Sequence, residues 1–489
     1  MSDHRPRPTS ETPPHHAGPG SLRAAWVALS GLSAVFLFEM LDSSVLNVAL
    51  PTIGRELGAS TTGLQWVTSS YSVVFGGLMI ALSAVADRFG RRTVMLAGLV
   101  LLALAGLATA FVSTTGQLVA VRVATGVAAA MTTPGSMALA YRLFADEHLR
   151  VRAMTLVSTV GLVGLAVGPT AGGLVLSFAP WQTLLLVNVP VAAIALVCVR
   201  LGVPADQPHE LHGRPIDVVG ALLGTAPVVL GLLAPTVFVD DGAGSWQPWV
   251  AAGGAAGAGA LFVLRQRAAV HPLLDLGLLR RPLVAGGLAF KAAAALAVAG
   301  LGYLVTLQLQ LDWGWTAAQA ALGMLPQVVV LVAGGAVISP LVGRIGLEGA
   351  AWGSAAVVVC GLAVYAALGR LGYPWVALAL VLVAAGMRVV GVVAGNNVMR
   401  GLPADRTTMG AALIDTAGEL TTGLGIAVSG TILAGGFTGS IAAGGWTAAQ
   451  TGQFRDAVTV AAVVLTVGAG LLVGWGIVRT RTPGAPRAR

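Results

Sequence analysis

Long apolar runs alternate with short polar stretches along nearly the whole chain. A helix needs about 20 mostly apolar residues to cross a bilayer. Fourteen stretches approach or exceed that length: 25–50, 63–84, 93–113, 117–141, 153–178, 183–202, 217–238, 248–266, 283–309, 317–341, 350–370, 374–399, 409–434 and 456–478. The pair at 217–266 is the least regular, because Gly and Pro interrupt its runs. The pattern predicts an all-α membrane protein with 14 transmembrane helices.

Composition sharpens that picture. Of 489 residues, 56% are hydrophobic and only 10% charged, and the mean hydropathy is +0.84. So few charges cannot cover a soluble protein of this size. A cytosolic enzyme, a disordered chain and a nucleic-acid-binding domain are excluded. The net charge of +8 does not point to nucleic acid, since all but one of the 28 basic residues are Arg, in short clusters between apolar runs. Such clusters set membrane topology. With the N-terminus in the cytoplasm, only Arg55, Arg370 and Arg455 fall outside, and only Arg122, Lys291 and Arg388 lie within spans. Both termini are therefore expected in the cytoplasm, and the protein in a bacterial plasma membrane. Trp66, Trp181, Trp249, Trp315 and Trp375 fall near outer span ends, as an interfacial belt would. No cleavable apolar h-region precedes the first span, so no removed leader is expected, and residues 1–22, with His15-His16, read as a disordered tail. Cys198 and Cys360 sit in apolar segments without ligand neighbours, so neither a disulfide framework nor a metal site is expected.

The chain repeats itself. Ser83-Ala-Val-Ala-Asp-Arg-Phe-Gly90 follows the second span, and Ser339-Pro-Leu-Val-Gly-Arg-Ile-Gly346 follows the tenth. At the same offset, Gly58-Ala-Ser-Thr61 matches Gly314-Trp-Thr-Ala317, and Ala145-Asp146 recurs near it as Ala404-Asp405. This predicts a cytoplasmic tail at 1–22, a six-span half at 23–203, a two-span insert at 204–270, a second six-span half at 271–478, and a basic cytoplasmic tail at 479–489. Parallel repeats of this kind place a substrate site between the halves, near the bilayer midplane.

Several motifs carry chemistry. The loop Asp87-Arg88-Phe89-Gly90-Arg91-Arg92 combines a turn-forming Gly with cytoplasmic arginines. Asp87 can serve as a helix-end anion or pair with an Arg of a neighbouring span. In span five, Gly164, Gly168 and Gly172 share a face, Gly173 adjoins them, and Pro169 can bend the helix. The loop resembles the signature of the major facilitator superfamily. Asp42-Ser-Ser-Val-Leu-Asn47-Val-Ala-Leu-Pro51 is similar to the first-span motif of the fourteen-span drug:proton antiporters of that superfamily. Arg122-Val-Ala-Thr-Gly126 resembles the fourth-span Arg motif, Gly164 to Gly173 the fifth-span antiporter motif, and Trp181 to Pro190 the segment that follows it. Ser83, Thr125 and Gln182 depart from the usual Gly, Gln and Arg. The resemblance implies a major facilitator fold and export of substrate in exchange for protons, with 87–92 as a gating loop.

An ionisable side chain at bilayer depth costs at least about 2.5–3.5 kcal/mol, so it usually lines a polar cavity. Glu39 and Asp42 lie i,i+3 on one face of span one, and Asp415 and Glu419 lie i,i+4 in span thirteen. Paired carboxyls at this spacing can hold a proton between them. Asp42, within the motif, ranks first as proton carrier and Glu419 second, with Glu39 and Asp415 in support and Arg122 as charge partner. By the resemblance, positions 415 and 419 more often carry Asn and Gln, so this chain is more acidic there. Asn47, Lys291, Gln308, Arg388, Asn396 and Asn397 are candidate substrate-lining residues. No phosphate-binding loop, metal pair or catalytic constellation appears, so no cofactor, no ATP and no enzymatic activity are expected. The sequence thus reads as a monomeric, proton-driven exporter of a drug-like or antibiotic small molecule that binds no nucleic acid. A nutrient symporter of the same fold is the alternative, and an intramembrane lipid-modifying enzyme a distant one.

Overall fold

The computed structural model describes residues 19–481 apart from 145, 207–216, 243, 270–275, 334, 403–406 and 444. His15-His16 and most of the basic tail lie outside the described residues. Helices follow one another throughout: α1 (Trp26–Leu57), α2 (Thr61–Phe89), α3 (Arg91–Ala108), α4 (Thr115–Arg142), α5 (Glu147–Val175), α6 (Gln182–Leu186), α7 (Asn188–Gly202), α8 (Val218–Asp241), α9 (Gln247–Ala268), α10 (Leu276–Leu279), α11 (Pro282–Leu307), α12 (Ala317–Gly323), α13 (Leu325–Ala333), α14 (Gly335–Leu368), α15 (Tyr373–Gly401), α16 (Thr407–Gly436) and α17 (Ala448–Arg481). Among the described residues, 10 helices are long and apolar enough to span a membrane, and up to 12 if two bent pairs each count as one span. The bends are 52° in α2 between Met79 and Ala81, and 41° in α5 between Leu165 and Val167. The remaining two expected stretches, 217–238 and 317–341, hold a shorter apolar helix at Val219–Gly231 and the broken run α12–α14. Helices thus occupy every expected stretch, while the spans established by length and composition number 10 to 12.

The repeat seen in sequence is a repeat of turns. Gly58 and Gly314 take φ of +58° and +68°, and Gly90 and Gly346 take +102° and +78°. Left-handed backbone of this kind favours Gly because a Cβ would clash. Ser60 caps α2 by accepting from Gly63 N, and Thr316 caps α12 by accepting from Gln319 N. The two halves therefore enter their second helices through the same turn and cap. Gly346 breaks what is otherwise one continuous α14, as Gly90 separates α2 from α3. Asp146 caps α5 through Leu149 N; its counterpart at 405 lies outside the described residues.

Helices α1 to α7 pack on one another, as do α11 to α17. The halves meet along α2 and α16, and where α5 faces α12 and α13. Hydrogen bonds join them at the end where α1 stops: Gln310 Nε2 donates to Val48 O (3.0 Å), Thr431 Oγ1 to Gln65 Oε1 (3.3 Å) and Ser440 Oγ to Ala59 O (3.0 Å). Two of the three arginines expected at this end are neutralised locally, Arg370 by Asp456 (2.8 Å) and Arg455 by Asp312 (2.9 Å). Trp181 departs from the aromatic belt: it is 1% exposed, packed with Leu184 and Leu185 in the core. Trp249 and Trp375 stay exposed.

The insert is a hairpin of α8 and α9. Asp217 caps α8 through Gly220 N and binds Arg265 of α9 at 3.0 Å. Thr225 Oγ1 donates to Gly77 O of α2 (2.9 Å), and Val228 and Val229 pack on Val73 of α2 and Ala427 of α16. The insert so rests on both halves at their seam.

The fifth-span glycines are packing surfaces. A Cβ at Gly164 would lie 2.8 Å from Leu37 O of α1, and one at Gly172 3.2 Å from Val45. A Cβ at Gly168 would overlap Ser44 Oγ, and one at Gly173 would lie 2.6 Å from Ala317 O of the other half. Gly164→Ala is therefore expected to destabilise the protein by about 1–3 kcal/mol, the cost of overpacking. Gly257→Ala, with nothing within 4 Å of its Cβ, is expected to be neutral or stabilising. Thermal unfolding of the purified variants in detergent checks both.

Candidate functional site

Two groups of charge are buried within the helices, and they differ in kind. The first is closed. Asp42 on α1 is 2% exposed and Arg122 on α4 is 2% exposed. Arg122 Nη1 donates to Asp42 Oδ2 at 2.6 Å and Nε donates to Val67 O of α2 at 3.2 Å. Asn188 of α7 donates its Nδ2 to Asp42 Oδ1 at 3.1 Å. The guanidinium also lies 4.6 Å from the Tyr71 ring centroid, close enough for a cation–π contact. A buried pair is tolerable only when both charges are compensated and further hydrogen bonds occupy their remaining atoms. Here those bonds tie α1, α2, α4 and α7 together. Gly126 permits this: a Cβ there would lie 2.8 Å from Tyr71 O, so only Gly lets α4 approach α2 so closely.

The second group is also buried, and it spans the seam. Glu39, one turn before Asp42 on α1, is 4% exposed. It lies within electrostatic reach of Asp415 and Glu419 on α16 and of Lys291 on α11. Lys291 also acts on Asp415 and Glu419, yet no carboxylate forms a direct ion pair with its ammonium among the described residues. Its chain runs across Gly418, where a Cβ would lie 2.8 Å from Lys291 Cε. Glycine at 418 thus opens the path by which the ammonium reaches the two acids flanking it. On the other side of the seam, a Cβ at Gly76 of α2 would lie 3.1 Å from Glu419 Cβ, and Ser72 of α2 stands beside the Glu419 carboxyl. Glu419 Oε2 is buried without a hydrogen-bond partner among the described residues.

The expected site residues divide accordingly. Asp42 pairs with Arg122 as anticipated. Glu39, Asp415, Glu419 and Lys291 come together from both halves. Gln308 is 3% exposed, donating to Gly369 O (3.1 Å) and accepting from Tyr365 Oη (2.8 Å), so it braces the second half. Asn47 is partly buried on α1, Asn397 is 9% exposed against α11, Asn396 is exposed, and Arg388 is half-buried on α15. In the loop, Asp87 near the end of α2 pairs with Arg91 at the start of the neighbouring helix α3 (2.8 Å). Arg88 is exposed beside the Phe89 ring. Asp206, which motif reading passed over, closes the loop: it accepts from Arg92 N (3.2 Å) and Thr93 N (3.1 Å) at the start of α3. Arg92 donates to Arg200 O. Gly90 is required there twice, by its φ of +102° and because a Cβ would overlap the Asp206 carboxylate.

Asn188, Tyr71 and Ser72 were not singled out by sequence. The signal for the last two was present: Thr68 to Ser72 are five consecutive hydroxyl-bearing residues in an otherwise apolar helix. A cavity of about 300 Å³ lined by Arg55, Gln310, Asp312 and Trp446 opens at the joined end, apart from both charge groups.

Comparison with known proteins agrees with this architecture. The Major Facilitator Superfamily profile matches residues 32–426. The methyl viologen resistance protein SmvA of Salmonella typhimurium is 30% identical over 428 residues, 85% of this chain and 84% of its own. The cephamycin export protein CmcT of Amycolatopsis lactamdurans is 32% identical over 415 residues, 82% and 83% of the two chains. The multidrug efflux pump LfrA of Mycolicibacterium smegmatis is 28% identical over 450 residues, 90% and 87% of the two chains. Among solved structures, a POT family transporter with a bound thioalcohol-conjugated peptide superposes with a TM-score of 0.66 at 14% identity, covering 93% of this chain and 96% of that one. A bacterial homologue of the lysosomal transporter Spinster, inward-facing and unoccupied, gives 0.66 at 14%, over 94% and 98%. Profile and relatives show that the chain belongs to the Major Facilitator Superfamily, and is a multi-pass membrane transporter rather than an enzyme.

Proposed function

We propose that this transporter exports a drug-like or antibiotic small molecule across a bacterial plasma membrane in exchange for protons. The observation that carries the reading is the seam cluster. Three carboxyls and one ammonium from both halves converge at the interface that alternating access must rearrange. Relatives named for resistance and export support the outward direction. The Arg bias puts both termini in the cytoplasm. For export, alternating access has to open the cluster to the cytoplasm, where the substrate is loaded. The working unit is one chain, and the proton gradient is the drive, with no cofactor.

In this reading Glu419 and Glu39 carry the protons, Asp415 and Lys291 set the field around them, and a substrate amine or other polar group competes for the same carboxyls. Asp42 and Arg122 hold the first half rigid while the second rocks against it. This reverses the order suggested by motif alone. A proton carrier has to exchange a partner during the cycle, and Asp42 already has two partners inside one half.

Cells lacking their own pumps and expressing the chain are expected to tolerate more of at least one of methyl viologen, puromycin or lincomycin in a growth assay. Glu419→Gln, which keeps shape and removes the titratable group, is expected to abolish that gain while the protein remains inserted. Undiminished tolerance in the variant would rule out Glu419 as a carrier. Asp42→Asn leaves the Arg122 charge uncompensated, and is expected to cost about 3–5 kcal/mol in stability. Adding Arg122→Gln should recover most of that loss, as read by thermal unfolding in detergent. An Asp42→Asn protein that is as stable as the parent but does not transport would restore Asp42 as the carrier.

A further inference from the structure

The polar cavity at the joined end stands apart from both charge groups, and no step of the proposed transport cycle uses it. Its volume of about 300 Å³ is at the lower edge of the range for small-molecule pockets. Both halves build it. Arg55 comes from the last turn of α1, and Gln310, Asp312, Ile441, Ala442 and Trp446 come from the second half. The halves touch around it. Gln310 Nε2 donates to Val48 O (3.0 Å), Ser440 Oγ donates to Ala59 O (3.0 Å), and a Cβ at Gly54 would lie 2.7 Å from Ala442 Cβ.

The charges lining the cavity do not cancel. Arg455 Nε donates to both oxygens of Asp312 (2.9 and 3.1 Å), so that carboxylate is already compensated. Arg55 is exposed, and its one hydrogen bond among the described residues runs from Nη2 to Thr52 Oγ1 at 3.4 Å, beyond the usual length. No carboxylate pairs with it among the described residues. One guanidinium is therefore left over. Two more groups of the wall are unengaged. Gln310 uses its Nε2, while its Oε1 accepts no hydrogen bond among the described residues. Trp446, stacked on Phe437 and Phe454 with centroids 5.1 and 4.8 Å away, buries its indole N–H without a partner among the described residues. Buried polar groups left unmade call for a reason. A guanidinium fork matches an oxyanion through two parallel bonds. A neighbouring acceptor asks for a hydroxyl beside that oxyanion.

We propose that this cavity binds a small hydroxylated carboxylate, and that the bound acid clamps the joined end shut. The carboxylate pairs with the Arg55 guanidinium, a ligand hydroxyl donates to Gln310 Oε1, and the Trp446 indole N–H donates to a ligand oxygen. Arg55 belongs to one half and Gln310 and Trp446 to the other, so the acid adds a bridge where Gln310 and Val48 already meet. In the proposed orientation this end faces the exterior, and the acid is drawn from the medium there. The site is independent of proton exchange at the seam.

The test uses full-length protein in nanodiscs, with gluconate as the probe and saturation-transfer magnetic resonance as the readout of binding. Sorbitol, a polyol of the same length without the carboxylate, and propionate, an acid without hydroxyls, are the comparators. Gluconate is expected to bind about tenfold more tightly than either, the worth of one charge-assisted hydrogen bond. Arg55→Gln, at an exposed position that the fold does not depend on, should weaken gluconate binding by about tenfold. Trp446→Phe keeps the stacked ring, loses only the donor, and should weaken it by about threefold. Arg23→Gln, exposed and ahead of α1, should leave it unchanged. For the clamp, Cys198 and Cys360 are replaced by Ala and spin labels go on Gly116→Cys and Gly452→Cys. Both positions are exposed, one on each half, and a Cβ at either meets nothing within 4 Å. The inter-label distances, read by pulsed electron resonance, should narrow to one population with gluconate in the parent and stay unchanged in Arg55→Gln. Gluconate binding no better than sorbitol or propionate, or binding undiminished in Arg55→Gln, would overturn the site. Gluconate binding that leaves the distances unchanged would overturn the clamp.

Discussion

A guanidinium and a carboxylate buried among apolar helices cannot be there singly. That constraint organises the first half of this transporter. Arg122 reaches Asp42 at 2.6 Å, and its Nε and flat face are taken by Val67 O and the Tyr71 ring. The second oxygen of Asp42 is taken by Asn188. Four helices contribute to one compensated pair, so none can shift far without exposing a charge to hydrocarbon. Gly126 on α4 and the fifth-span glycines against α1 allow backbones to approach within the reach of these short bonds. In a membrane, where lipid tails offer helices no hydrophobic reason to associate, such close packing and polar bonds are what hold them together.

The seam cluster has the opposite character. Glu39, Asp415, Glu419 and Lys291 influence one another without forming direct ion pairs with the lysine. Their charges do not cancel, and they belong to helices of different halves. A site with surplus carboxyl groups at a moving interface is suited to exchange one cationic occupant for another, whether proton or substrate. Glu39 and Asp42, one turn apart on the same helix, differ in surroundings: the later one is paired inside its half, and the earlier one, beside Thr133 of α4, lies in the field of charges from the other half. The insert bears on this seam too, since α8 contacts both α2 and α16, and any rocking of the halves must slide or carry it.

Much of the fold was legible because bilayer chemistry writes itself into composition and periodicity. Apolar runs of span length located the helices, and the Gly58/Gly314 and Gly90/Gly346 pairs marked turns that take the same left-handed backbone. The pairing of Asp42 with Arg122 was legible too, because two opposite charges in apolar spans have few ways to be stable. Less legible was anything that depends on which way a helix faces. Trp181 looked interfacial and is core, and Gln308 looked like a lining residue and is a brace. Asp87 pairs with an Arg of the neighbouring helix, one of the two roles expected for it, but Asp206, more than a hundred residues on, also closes the loop and was not foreseen. Span number was blurred at 317–341, where the helical run is interrupted at Met324 between α12 and α13. Tyr71 was hidden because a lone tyrosine in an apolar helix is ordinarily a packing residue, and only its stacking on Arg122 distinguishes it.

The central claim is a division of labour: the charges of the first half are structural, and those of the seam exchange protons. Infrared difference spectra of the reconstituted protein between acidic and alkaline buffer test it most directly, because protonated carboxyls absorb apart from carboxylates. The account predicts a protonation signal that survives in the Asp42→Asn/Arg122→Gln double variant and vanishes when Glu39, Asp415 and Glu419 are replaced by their amides. A signal that persists in the triple amide variant and disappears with Asp42 would contradict it.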